Sequence, residues 1–151
     1  MKVNFKGFKD STVKDESGKE VLSFEKAKAL PTRVCYSLVN TQKEKVGKIE
    51  KTRSNFGLVE APEIVISLKD NKITIKKDIR ELKEVYEITG NNISISGDWN
   101  GPRFNISKDN QVLATINVEN QDSEKNYVVD IGDIVNLEEA VSIVFALSWI
   151  K

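Results

Sequence analysis

Apolar residues follow two regimes along this chain of 151 residues. Over most of its length they alternate with polar ones, whereas from Ala140 to Ile150 they are continuous apart from Ser142 and Ser148. A period of two gives a strand one face for a core and one for water. Thr12 to Asp15 leads through Asp15-Glu16-Ser17-Gly18 to Val21, Leu22 and Phe24. Leu38-Val39-Asn40 leads to Val46 and Ile49, and Ile66 and Leu68 lead through Asp70-Asn71 to Ile73 and Ile75. Ile106 leads through Asp109-Asn110 to Val112, Ala114 and Ile116. Each unit has Asp or Asn at its bend and reads as a hairpin, so together they predict a meander. The spacing between units is uneven, which argues against a repeat of fixed period and suits a sheet that closes on itself.

The remaining chain fits around these units. Val3 and Phe5, Cys35 within RVCYSLV, Ile93 and Ile95, and Tyr127 to Ile131 all alternate. Asn100-Gly101 suits a tight hairpin because both residues tolerate positive φ. Pro31 and Pro62 predict connections, since proline supplies no donor to a central ladder. Lys76 to Lys83 (KKDIRELK) has too few apolar residues for a stable helix and predicts a charged connection. Glu119 to Lys125 is polar and predicts a longer loop.

The terminal stretch Asn136 to Ile150 predicts a helix. Asn136 followed by Glu139 has capping-box spacing, with Glu139 reaching back toward the positive helix end. Such a helix is about 21 Å long. Being apolar on every side, it has to be enclosed. Its eleven-residue apolar run falls short of the roughly 20 residues a membrane span needs. About a dozen strands of ordinary length account for the chain before it. A barrel of that size has room for a helix inside. The predicted fold is therefore mainly β: a closed barrel of about twelve mostly antiparallel strands around a central hydrophobic C-terminal helix, in one domain over residues 1–151.

Composition narrows the chemistry. Lys and Arg total 23, as do Asp and Glu, so no whole-protein field favours nucleic acid or an anionic membrane, and either partner would need a local patch. No nucleic-acid partner is expected. Histidine is absent, which excludes every triad, zinc site or proton shuttle that requires imidazole. Cys35 is the single cysteine and reads as a buried, inert thiol. The opening MKVNFKGFKD lacks the apolar core of a signal peptide, so a reducing cytoplasmic setting is expected, with peripheral membrane attachment left open. No glycine-rich nucleotide motif or EF-hand loop occurs, so no cofactor and no metal are expected.

From Gly97-Asp98-Trp99-Asn100-Gly101 with Phe104 and Ile106, through Asn110-Gln111-Val112-Leu113-Ala114-Thr115-Ile116, to Tyr127-Val128-Val129-Asp130-Ile131 and the terminal helix, the chain resembles the LURP-one-related family, also called YxjI-like. That resemblance implies the fold of tubby C-terminal domains and phospholipid scramblases, a barrel of about twelve strands around a hydrophobic helix. The chain departs from the family pattern in two places. Glu119 to Lys125 lacks the usual aromatics, and Asn110 replaces a common turn glycine.

Tubby domains bind phosphoinositides, so the resemblance makes an anionic lipid site worth seeking, although no lipid-binding residue maps onto a matching position. The candidates are Lys43, Lys45, Lys48, Lys51 and Arg53, and Lys69, Lys72, Lys76, Lys77 and Arg80. Their plainer reading is a solvated strand face diluted by Glu44, Glu50, Asp70, Asp78 and Glu81. Trp99 with Arg103 could stack on a ligand from a hairpin tip, or Trp99 could cover a barrel end. Trp149 reads as core filling. Scramblases carry a calcium segment before their last helix, yet Asp130, Asp133, Glu138 and Glu139 lack a loop pattern for it. The favoured expectation is a non-enzymatic binding or scaffold domain engaging an anionic membrane surface or a protein. The alternatives are a small-ligand enzyme at a barrel mouth and scramblase-like lipid transfer.

Overall fold

The bends are built by their own side chains. In one, Asp15 Oδ1 accepts from the Ser17 amide at 2.9 Å, the Lys19 amide at 3.0 Å and the Ser17 hydroxyl at 2.6 Å, which draws its carboxyl below the usual carboxylate range. In the next, Asn40 Oδ1 accepts from the Gln42 and Glu44 amides at 3.0 and 2.9 Å. Asp109 and Asn110 turn the chain with φ of 52° and 65°, a region these short polar residues tolerate. The computed structural model describes residues 1–7, 12–28, 33–56, 59–69, 71–80, 83–97, 101–121 and 124–150.

Twelve strands follow: β1 (Lys2–Phe5), β2 (Thr12–Asp15), β3 (Glu20–Ala27), β4 (Arg33–Val39), β5 (Lys45–Phe56), β6 (Val59–Leu68), β7 (Lys72–Arg80), β8 (Lys83–Thr89), β9 (Ile93–Gly97), β10 (Arg103–Lys108), β11 (Gln111–Gln121) and β12 (Glu124–Ile131). A short 3₁₀ turn, Ile134–Asn136, leads into the helix α1 (Leu137–Ile150). The strands form one sheet in the order β8-β7-β6-β5-β4-β3-β2-β1-β12-β11-β10-β9. Every paired neighbour is antiparallel. The first strand is joined to the last, Val3 lying opposite Val129. The two ends of the sheet, β8 and β9, are consecutive in the chain, so the wall nearly closes and leaves a seam between them.

The seam is fastened where the chain crosses it. Gly90 has φ of 115°, and a Cβ there would overlap the Lys72 carbonyl oxygen at the start of β7. Glu139 of α1 is 6% exposed and accepts from Asn91 Nδ2 at 2.8 Å and from Lys108 Nζ at 3.4 Å. The helix is thereby tied to the turn between β8 and β9 and to the end of β10.

Inside the wall, one residue in two points at α1. Val3, Phe24, Leu38, Ile49, Ile64, Ile66, Ile73, Ile75, Ile106, Ile116 and Val129 are essentially inaccessible. Twelve of the 14 residues of α1 are buried, so its apolar surface is consumed by the barrel. Phe145 stacks on Phe24 with centroids 4.0 Å apart and meets Tyr36 edge-on at 5.3 Å. Ser148 Oγ donates to the Phe145 carbonyl at 2.7 Å, while the Ser142 hydroxyl is buried with no partner among the described residues.

Four expectations are corrected. The cap at the helix entry is Asp133, whose backbone is still extended (φ −129°, ψ 126°) and whose Oδ1 accepts from the Val135 amide at 3.1 Å. Asn136 lies inside the 3₁₀ turn, and Glu139 is turned to the seam and is not reaching back to the helix end. Lys76 to Lys83 is strand to Arg80 and strand again from Lys83, because β8 supplies the partners its composition does not announce, with β6 reaching only Lys76. Pro62 lies within β6, opposite Arg53. Within the expected loop Glu119 to Lys125, the described residues form the polar end of a ribbon in which Glu119 faces Asn126 and Gln121 faces Glu124; backbone pairing continues past the core, and residues 122 and 123 lie outside the described residues. Pro31, Asp70, Trp99 and Asn100 lie outside the described residues.

Truncating Phe145 to Ala should cost about 3–5 kcal/mol in a urea titration, as large aromatic truncations in cores do. Phe145→Asp should abolish the cooperative transition, since it buries an unpaired charge. A fold indifferent to both would have its core elsewhere. Gly90→Ala should lower the urea midpoint, because its φ and its overlap with a backbone oxygen both oppose a Cβ.

Candidate functional site

With the interior filled, chemistry has to be sought on outward-facing residues, and strand parity identifies them. On β5, Ile49 is fully buried, so Lys48 and Glu50 face out. On β6, Ile66 is buried and Ser67 is exposed; on β4, Tyr36 and Leu38 face the helix side, so Cys35 and Ser37 face out. Register then aligns them across the sheet. Ser37 lies opposite Lys48, Lys48 opposite Ser67, and Ser67 opposite Lys72. This outer row from β4 to β7 reads Ser-Lys-Ser-Lys, with Glu25 of β3 beyond Ser37.

The row crosses a concave groove of about 470 Å³, lined by Ala27, Lys28, Cys35, Ser37, Lys45, Val46, Gly47, Lys48, Ser67, Leu68 and Lys69. Four ammonium groups and two hydroxyls border it. Lys48 pairs with Glu50 at 3.0 Å, the Glu50 side chain being 17% exposed against 56% for Lys48. Cys35 is 2% exposed, and burial pushes its thiol up from its ordinary value. An acidic thiol is what reactivity would require, so Cys35 belongs to the groove as shape.

The sequence candidates are thus regrouped. Lys45, Lys48 and Lys69 meet at the groove, and Lys72 adjoins it. Lys43, with φ of 66°, lies at a separate hollow of about 310 Å³ beside Lys19, Glu20 and Asn40. Lys51 shares the inward face of Ile49 and holds its Nζ 5.4 Å from the ring centroid of Trp149, which also meets Tyr36 edge-on at 5.1 Å. Trp149 is therefore half-buried core with a cation over it. Lys76 is exposed between Glu63 and Glu87 on the neighbouring strands, so its charge is compensated locally. Arg103 is exposed on β10 opposite Asn117. The side chains of Arg53, Lys77 and Arg80 lie outside those described, as does Trp99.

Sequence reasoning missed Lys28, Ser37 and Ser67. Alternation marks both serines as outward-facing, but nothing local to either predicts that they flank one lysine. Among the described residues, no three His, Cys, Asp or Glu side chains are placed to share a metal ion. Also among them, no helix is long and apolar enough to cross a membrane.

A single antiparallel sheet rolled around a C-terminal helix that serves as its core defines the class. The LURP-one-related family model matches residues 1–148, and the chain belongs to that family. No curated protein and no solved structure matches it significantly.

The thiol offers a check on the wall. In the native protein Cys35 should react with a thiol reagent at neutral pH far more slowly than in urea, at a rate that follows unfolding. Prompt labelling of the folded protein would place Cys35 on an accessible surface.

Proposed function

We propose that this chain is a non-enzymatic binding domain that attaches peripherally to an anionic membrane surface through the outer wall of β5, β6 and β7. The observation that supports the reading is the row Ser37, Lys48, Ser67 and Lys72 with Lys45 and Lys69 beside it: four lysines gathered on one face of a protein whose formal charge is zero, Lys48 among them paired with Glu50. Lys48 and Lys72 lie opposite serines on the neighbouring strands, whereas Lys76 lies opposite a glutamate on each side. The absence of histidine from the sequence supports the non-enzymatic part. A cytoplasmic setting, where membrane surfaces carry anionic lipid, fits the same reading.

Lysines near such a surface contribute about 1 kcal/mol each. Vesicles of phosphatidylcholine with phosphatidylserine should therefore float the protein at low ionic strength, and vesicles of phosphatidylcholine alone should not. Replacing Lys45, Lys48, Lys69 and Lys72 together by Gln should lower partitioning roughly a thousandfold. Salt near 1 M, where the screening length is about 3 Å, should release the wild type. Absence of flotation at low salt contradicts the reading.

A further inference from the structure

The wall that gathers these lysines is not uniformly basic, and the concavity within it has a narrower chemistry. Lys28, Lys45, Lys48 and Lys69 border the groove together with Ser37 and Ser67, and none of the described lining residues is an arginine. Ser37 and Ser67 stand on either side of Lys48 in register, so the lysine is flanked by a serine on each neighbouring strand, about 4.8 Å away. Ammonium groups are compact point charges with three donors each, whereas a planar carboxylate is matched best by the arginine fork. A phosphomonoester offers the complementary set. It carries about −1.5 to −2 charge near pH 7 and three acceptor oxygens. The volume of about 470 Å³ falls within the range of small-molecule sites and exceeds what a lone inorganic ion needs. Glu50, paired with Lys48 at 3.0 Å, holds that ammonium on the outer face of β5.

From this we infer that the groove between β4, β5 and β6 is a binding site for a phosphomonoester, borne either by a lipid headgroup or by a soluble phosphorylated compound. The inference rests on the anionic-surface reading for the lipid source but not for the soluble one. The serines make it more than attraction between charges, because a hydroxyl adds a donor without adding charge.

The test compares phosphatidylcholine vesicles doped with phosphatidic acid, whose headgroup is a phosphomonoester, with phosphatidylserine vesicles of equal surface charge. Inorganic phosphate and glycerol 3-phosphate are the soluble probes, followed through the amide resonances of Ser37 and Ser67. The site predicts at least about tenfold tighter binding to the phosphatidic acid vesicles, the scale of one hydrogen bond to a charged group. Ser67→Ala, which alters no charge at an exposed position, should remove most of that preference, and Lys48→Gln should remove all of it. Lys76→Gln should leave the preference intact. Equal binding to both vesicles, unchanged by Ser67→Ala, overturns the phosphomonoester site and leaves attachment to anionic membranes standing. No vesicle binding, with both soluble probes shifting the Ser37 and Ser67 resonances in wild type but not in Ser67→Ala, supports the site with a soluble ligand and overturns the membrane reading. Silence from vesicles and soluble probes alike overturns both.

Discussion

A helix without a polar face sets the terms for the whole molecule. From Leu137 to Ile150, α1 buries residues on every side, so no single sheet face could cover it and a wall must pass around it. The wall in turn has no other filling, because a barrel of twelve strands is too wide to be packed by its own side chains. Each therefore needs the other. The stacked pair Phe24 and Phe145 is the closest aromatic expression of that dependence, linking a strand from the first fifth of the chain to its last element. The β1 to β12 join and the grip of Glu139 on Asn91 and Lys108 serve the same end, holding the wall shut around the helix.

This commitment of the interior directs function outward. In a strand whose inner positions are fixed by the core, the alternate positions face away from it, and on β4 to β7 those positions carry serine and lysine in one register row. The scaffold contributes rigidity: the paired strands keep the backbones that carry Ser37, Lys48, Ser67 and Lys72 in register without the support of a loop. Lys51 shows the opposite case. It faces inward at the open end of the barrel and is held over Trp149, so its charge belongs to the packing of the helix C-terminal end.

The architecture was largely legible because its two signals are periodic. Alternation around Ile66, Ile73 and Ile75 and continuous apolarity from Ala140 depend only on local residue order, and both specify which side is inside. Elements whose stability comes from neighbours were not legible. Lys76 to Arg80 has little strand character of its own and is extended because β8 runs beside it, and Glu119 to Gln121 pair with Glu124 to Asn126 in a ladder that continues beyond the core. Asn136 fits a helix cap by type and spacing, yet the chain is still extended three residues earlier, at Asp133, and capping follows backbone geometry. The groove was only half visible. Its lysines stand out by charge, but Ser37 and Ser67 acquire meaning only from register, which is set by hairpin geometry over the whole sheet.

Native-state hydrogen exchange on α1 tests most directly whether the helix is the core on which the barrel depends. The account predicts that amides from Val141 to Leu147 exchange only through global unfolding, with the same free energy and denaturant dependence as the amides pairing β1 with β12. Exchange of the helix through a separate, lower-energy opening while the strand amides stay protected would contradict it, because the wall would then stand without its filling.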